Sequence, residues 1–98
     1  MIKRIVKLTF KESKVDTFLQ NFENNKLNIR NFEGCHYLEL WRDRHQPNIF
    51  FTYSYWTSEE ALNAYRHSEL FKKVWSATKI LFSEKPQAWS IDMVWAGN

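Results

Sequence analysis

The sequence predicts an α+β domain of the ferredoxin-like class, with strands and helices in the order βαββαβ. Four stretches alternate with the period of two that is typical of a strand, and two regions space their apolar residues as amphipathic helices do. Two split βαβ units of this length form a four-stranded antiparallel sheet with both helices on one face. The chain of 98 residues is long enough for one two-layer core and too short for two, so residues 1–98 are one domain.

The first strand and the first helix occupy the amino-terminal third. Residues 2–10 alternate like a half-buried strand, and one of its faces carries Ile2, Arg4, Val6, Leu8 and Phe10. Ser13 is a candidate N-cap, and apolar residues at helical spacing follow it from Val15 to Phe22. The pattern fades at residues 24–25, so we expect residues 27–33 to be a connecting segment.

The second and third strands form a predicted hairpin. Gly34 marks a turn into the strand 35–41, a polar turn covers residues 42–48, and the third strand runs over residues 48–56. The period of two places large side chains on both faces of this third strand. One face carries Ile49, Phe51, Tyr53 and Tyr55, and the other carries Phe50, Thr52, Ser54 and Trp56.

The second helical region is predicted to consist of two pieces that meet near His67. Thr57 and Glu60 have the spacing of a capping box at the start of the first piece, and Ser68 can cap the second. The alternation of residues 89–95 predicts the fourth strand.

The predicted sheet has a second apolar face that two helices cannot cover. This face carries Tyr37 and Trp41 together with several aromatic residues of the third strand. Leaving about six such groups in water forgoes roughly 2 kcal/mol each, or about 12 kcal/mol, which compares with the ~4 to 15 kcal/mol cost of association. We therefore expect a homodimer in which two copies pack sheet face against sheet face.

Composition and motifs argue against several other classes. The net charge of +3 is spread along the chain, and the third strand lacks the glycine and the basic residue of an RNA-recognition sheet, so no nucleic acid is expected. Cys35 and the three histidines show none of the spacings of a metal site, so no metal is expected. Without an apolar run near ~20 residues or a signal-peptide pattern, we expect no membrane partner and a cytoplasmic location.

Residues around the helix break form the candidate functional site: Trp56, Tyr65, His67, Phe71 and Trp75. A chain that changes direction there leaves a gap between helix and sheet. Aromatic walls with a few polar tips would suit a small planar molecule. The alternative is that these aromatic residues simply pack the core.

Three stretches resemble the antibiotic biosynthesis monooxygenase domain. They are Gly34-Cys35 leading into a strand, the third strand ending Phe51-Thr-Tyr-Ser-Tyr-Trp56, and Thr57-Ser-Glu-Glu-Ala-Leu-Asn-Ala-Tyr65-Arg-His-Ser68 followed by Phe71. The resemblance covers nearly the whole chain and implies the dimeric α/β-barrel fold. In that fold two sheets pack face to face, the last strand helps to join the subunits, and each subunit holds a cavity between sheet and helices.

Members of that family oxidise polycyclic aromatic or quinol-type substrates with molecular oxygen and without a bound flavin or metal. Others degrade haem, and some are regarded as non-catalytic. The resemblance thus implies a cofactor-independent monooxygenase for a small aromatic compound, in which the deprotonated substrate supplies the electron to oxygen. The protein would contribute positioning, a base and a dry cavity.

The same resemblance points to Tyr65 or His67 for proton transfer or substrate anchoring and to Trp56, Phe71 and Trp75 as walls. Trp75 stands where haem-degrading members place their axial histidine, so haem degradation is disfavoured. The competing interpretation is a non-catalytic dimeric domain that binds a small molecule or takes part in interactions.

Overall fold

The structure, a computed structural model, describes residues 1–98 and confirms the predicted α+β, ferredoxin-like order. The strands are β1 (Ile2–Thr9), β2 (Cys35–Arg42), β3 (Ile49–Trp56) and β4 (Gln87–Ile91). The helices are α1 (Val15–Arg30), α2 (Glu59–Arg66) and α3 (Glu69–Lys79), with a short 3-10 helix (Glu12–Lys14) before α1. The strands form one open antiparallel sheet in the order β2-β3-β1-β4, and the helices cover one of its faces.

Helix α1 is longer than the sequence pattern predicts. It continues to Arg30, so the first four residues of the expected connecting segment, 27–30, lie inside the helix, and Ile29 is buried. The polar pair at 24–25 does not end the helix, because Ile29 in the next turn is buried in the core. Asn25 Nδ2 donates along the helix surface to the carbonyl one turn earlier at 2.8 Å. Ser13 is not its cap: it lies in the 3-10 helix, and α1 begins without a side-chain cap.

The second helical region is broken where the sequence predicts, between α2 and α3. Ser68 caps α3, because its Oγ accepts a hydrogen bond from the N–H three residues later at 3.1 Å. The cap of α2 is Ser58 rather than the predicted Thr57, with an equivalent bond of 3.1 Å. Thr57 instead continues the pairing of β3, since its N–H donates to the Gly34 carbonyl at 2.9 Å.

Strand β4 lies earlier than predicted, at Gln87–Ile91 rather than 89–95. β4 pairs only with β1. Its last residue, Ile91, pairs with Lys3, which is near the start of β1. Residues 92–98 therefore continue past the sheet without a strand partner in the chain. The apolar alternation runs on into this segment, where Met93 and Trp95 are exposed.

The helix-covered face of the sheet holds the apolar core in two clusters. The first cluster consists of Leu8, Phe10, Val15, Phe18, Phe50 and Leu81. The second consists of Ile29, Cys35, Trp56, Leu62 and Tyr65. Of the three largest fully buried side chains, Trp56 and Phe50 come from inward-facing positions of β3, and Phe10 directly follows β1.

The opposite face of the sheet is uncovered within the chain and largely aromatic. We call it the outer face, and the strand register places on it Ile5, Tyr37, Trp41, Phe51, Tyr53, Tyr55, Trp89 and Ile91, together with Lys3, Lys7, Glu39 and Gln87. Its polar tips bond to one another: the Tyr37 hydroxyl and Trp41 Nε1 both donate to Glu39, and Lys3 Nζ donates to the Tyr53 hydroxyl at 2.9 Å. This face is therefore apolar in bulk, with those polar groups already partnered.

Candidate functional site

A cavity of about 320 Å³ lies between the sheet and the helices. Its walls include members of both core clusters, among them Leu8 and Phe18 from the first and Trp56 and Leu62 from the second. Close-packed interiors hold few voids larger than one water molecule, so an opening of this size is a real gap in the core. Since a cavity of ~150 Å³ accepts benzene, this one has room for two or three fused rings.

Four aromatic side chains follow one another along the cavity wall. Trp56 stacks on Tyr65 with ring centroids 5.0 Å apart, and Tyr65 meets Phe71 edge-on at 5.2 Å. Phe71 lies nearly parallel to Trp75, at 5.8 Å and 11°. The break between α2 and α3 makes this possible, because it brings Tyr65 from one helix against Phe71 from the next. A flat ring compound fits such a wall well.

The hydroxyl of Tyr65 is the free polar tip of this aromatic wall. The side chain is buried, at 8% exposure, yet its hydroxyl makes no hydrogen bond within the chain. No fully enclosed side-chain nitrogen or oxygen lacks a partner, so this hydroxyl is reachable from the cavity. Burial strongly raises the pKa of Tyr65, and the nearby Cys35 raises it further. Tyr65 is thus protonated at neutral pH, so its hydroxyl has a proton available to donate in a hydrogen bond.

Two smaller polar groups of the cavity wall are bonded to the protein itself. Ser54 Oγ accepts a hydrogen bond from Trp56 Nε1 at 3.0 Å, which fixes the indole ring. Thr78 Oγ1 donates to the Val74 carbonyl at 2.7 Å. These bonds orient the wall and leave few groups free to bind a ligand.

Two arginines also line the cavity. Arg4 projects from the helix-covered face of β1, and its Nη1 donates to Ser90 Oγ on β4 at 3.0 Å. Arg66 comes from the last turn of α2. Burial lowers the pKa of Arg4, and the positive charge of Arg66 lowers it further. No carboxylate pairs with either of them, because the two ion pairs of the chain join other residues.

The structure brings four of the five predicted site residues together. Trp56, Tyr65, Phe71 and Trp75 all line the cavity. His67 does not line it. It caps the carboxyl end of α2 with an exposed side chain, and its Nδ1 lies 2.8 Å from the carbonyl oxygen of Asn63.

The sequence interpretation missed Arg4 and Arg66 as cavity residues. A signal for Arg4 was present, because it occupies an inward-facing position in the alternation of β1, between Ile2 and Val6. A charged residue in an apolar series indicates either a side chain that reaches solvent or a polar site inside. Arg66 gives no such signal, since a cation in the last turn of a helix is ordinary.

Two properties of the chain bear on its chemistry. No group of three or more histidine, cysteine, aspartate or glutamate side chains is arranged to hold a metal ion. No helix is long and apolar enough to cross a membrane.

The open antiparallel sheet, the helices on one face and the cavity between them define a ferredoxin-like α+β domain with a cavity between sheet and helices. Residues 1–75 match the antibiotic biosynthesis monooxygenase family. The chain belongs to that family. No curated protein matches it.

Solved structures share the fold along nearly the entire chain. A structure of an antibiotic biosynthesis monooxygenase superposes with a TM-score of 0.90 at 20% identity, covering 96% of this chain and 99% of the other. The structure of a conserved protein from Methanosarcina mazei Go1 superposes with a TM-score of 0.87 at 19% identity, covering 92% of this chain and 89% of the other. A candidate antibiotic biosynthesis monooxygenase from Nitrosomonas europaea gives 0.89 at 14% identity, with 97% and 100% covered.

Proposed function

We propose that this protein is a cofactor-independent monooxygenase that oxidises a small aromatic or quinol-type compound. The observation that carries the proposal is the cavity of about 320 Å³, with stacked aromatic walls and one free tyrosine hydroxyl. Family membership supports the class of reaction, and the parallel rings support a planar substrate. In this proposal Trp56, Phe71 and Trp75 hold the substrate rings, and Tyr65 donates a hydrogen bond to a substrate oxygen.

The reaction needs no electrons from outside the substrate. The ionised substrate gives an electron to molecular oxygen, and a new carbon–oxygen bond then forms. For a ring methylene, the carbon loses two hydrogens and gains one oxygen atom as a carbonyl, while the second oxygen leaves as water. The protein contributes orientation and the exclusion of bulk water from the reactive carbon.

The cavity wall holds no residue that would act as a base at neutral pH. It contains no histidine, aspartate, glutamate or lysine, and the raised pKa of Tyr65 keeps that hydroxyl protonated. The substrate proton therefore leaves to solvent, or the substrate enters already ionised. Because ionisation precedes the reaction with oxygen, the rate should rise with pH in a single step that follows the pKa of the bound substrate. This step should shift when the substrate is changed for one of different acidity, with no second rise that reports a protein base.

The homodimer expected from the sequence is part of the proposal. The outer face supplies aromatic surface whose polar tips are already bonded, so it can be buried against a second copy without leaving them unpaired. The last strand would help to join the subunits, since its apolar alternation continues beyond the sheet. The cytoplasmic location also remains a proposal.

Oxygen uptake with a panel of anthrones and quinols tests the activity. Tyr65→Phe removes only the free hydroxyl, and we expect kcat/KM to fall about 10-fold, the effect of losing one hydrogen bond to an anionic oxygen. His67→Ala tests the other residue predicted for proton transfer. Its position outside the cavity gives it the smaller expected effect. Equal losses in both variants, or none in either, would contradict the role of Tyr65.

The alternative is a non-catalytic dimeric domain that binds the same kind of ligand. The observation that favours it is the absence of a base from the cavity wall. Calorimetric titration of the panel under anaerobic conditions separates the two functions. Binding of several ring compounds without oxygen uptake by any of them would establish the alternative.

A further inference from the structure

Arg4 is a feature of the cavity that the proposed reaction leaves unexplained. Its strand neighbours on the same face, Val6 and Leu8, are apolar cavity residues. Arg4 is half-buried among them, so its guanidinium loses part of its hydration, and hydrogen bonds or an opposite charge would compensate that loss. Ser90 Oγ takes one of its five N–H donors, and no carboxylate takes the others.

Arg66 adds a second positive charge to the same cavity. Its place in the last turn of α2 is explained by the helix dipole, but that does not explain why the turn faces Arg4. The two guanidinium groups are close enough that the charge of Arg66 weakens the protonation of Arg4. The chain has 11 acidic residues, and none of them lines the cavity. Arg66 is exposed and partly solvated while Arg4 is half-buried, and no carboxylate of the protein pairs with either of them.

We propose that the cavity selects anionic aromatic compounds, with an ionised oxygen group of the ligand against Arg4 and Arg66 and its rings against Phe71 and Trp75. This inference rests on the cavity being the ligand site of the proposed function, and it adds the charge of the ligand. The common chemistry is a negative oxygen on a ring system of two or three fused rings. That oxygen belongs either to a carboxylate or to an acidic hydroxyl.

The arginines would also favour ionisation of the substrate, for which the cavity wall has no base. A positive charge beside a substrate hydroxyl lowers the pKa of that hydroxyl, because it favours the ionised form. Arg4 would then hold the substrate in the form that reacts with oxygen, without a protein base. A carboxylate would instead pair with the guanidinium through two parallel hydrogen bonds and fix the ring orientation.

Calorimetric titration with three naphthalene probes, two of which match in shape and differ in charge, tests the inference without any turnover. The probes are 2-naphthoate, its neutral analogue 2-naphthamide, and 2,4-dinitro-1-naphthol, whose hydroxyl is ionised at neutral pH. We expect wild-type protein to bind at least one of the two anions about 10-fold or more tighter than the amide. Preference for the naphthoate assigns the group to a carboxylate, and preference for the naphtholate assigns it to an acidic hydroxyl.

Arg4→Gln should abolish this preference while leaving the affinity for 2-naphthamide unchanged, which also shows that the cavity is intact. Arg44→Gln is the matched control, since it removes the same charge from an exposed position of the β2–β3 turn and should change nothing. If Arg4→Gln does not fold, Arg66→Gln is expected to reduce the preference by a smaller factor.

Three results would overturn the inference: equal affinity of the wild type for both anions and the amide, a preference that survives in Arg4→Gln, or no binding of any probe at millimolar concentration. Failure of the proposed oxidation is a separate result. It would appear as absent oxygen uptake while the charge preference in binding persists.

Discussion

Gly34 is the residue whose replacement should damage the fold most for the smallest chemical change. Its φ is +91°, a conformation that side chains rarely adopt, and an added Cβ would lie 2.6 Å from Ala61 Cβ. Gly34 therefore lets β2 begin directly against α2. We expect Gly34→Ala to lower the free energy of unfolding by about 3 kcal/mol, from backbone strain and overpacking together, as measured by urea unfolding.

Gly97→Ala provides the control for that measurement. Gly97 has no positive φ, and its close neighbour is the outer end of the exposed Trp95 ring, which can move away. We expect its free energy of unfolding to stay within about 0.5 kcal/mol of the wild type. Similar losses in both variants would show that Gly34 has no special conformational role.

The aromatic residues of the candidate site were predictable, because they follow from the strand and helix periodicity of the sequence. The position of Arg4 was not predictable, because it depends on how the helices pack on the sheet. Trp56 follows from the alternation of β3, while Phe71 and Trp75 follow from the helical spacing in α3. The direction of Arg4 does not follow in the same way, because alternation fixes only the face of the sheet. Whether its charged end meets solvent or a cavity depends on where the helices cross that face.

Helix α3 depends on Ser68 for its start and for the position of two cavity residues. Ser68 Oγ accepts from the Phe71 N–H at 3.1 Å and donates to the Tyr65 carbonyl at 2.6 Å. We expect Ser68→Ala to lower the free energy of unfolding by about 1 kcal/mol, the ordinary effect of losing an N-cap. Because the same oxygen ties Tyr65 to Phe71, affinity for ring compounds should fall as well, which calorimetric titration measures.

Ser76→Ala is the matched change in the same helix. Ser76 is exposed in the middle of α3, where alanine is the better helix former, so stability should be unchanged or slightly higher. Loss of ligand affinity in both serine variants would mean that the helix as a whole, and not its cap, positions the site.

Element order was predictable from the sequence, and element length was less so. The break near His67 appears as a gap between two helical patterns, and the structure confirms it. The predicted end of α1 was wrong because Ile29, which lies beyond the polar residues of the helix, is buried against distant parts of the chain. The predicted end of β4 was wrong because the length of a strand is set by its partner strand, which here is β1.

The two faces of the sheet differ in what they carry: one borders the cavity, and the other is the outer face that the proposed dimer would bury. On one face, the cavity separates the two core clusters. On the other, apolar and aromatic residues remain partly or largely exposed, including Trp89 at 45% and Ile91 at 40%. A monomer rarely leaves a continuous patch of this kind in water. The exposed Trp95 extends the same alternation beyond the sheet, as expected of a segment that contacts a second copy.

Trp89→Glu tests the proposed dimer with little disturbance of the single subunit, because Trp89 is already exposed on β4. Burying an unpaired carboxylate between two sheets is unfavourable by several kcal/mol, so we expect the dissociation constant to rise about 100-fold or more. Sedimentation velocity at micromolar concentration should give a dimer for the wild type and a monomer for Trp89→Glu. Leu27→Glu, at a position on α1 that is 67% exposed, should remain dimeric. A wild-type monomer would contradict the proposed dimer. A dimer that tolerates glutamate at position 89 but not at position 27 would place association away from the sheet.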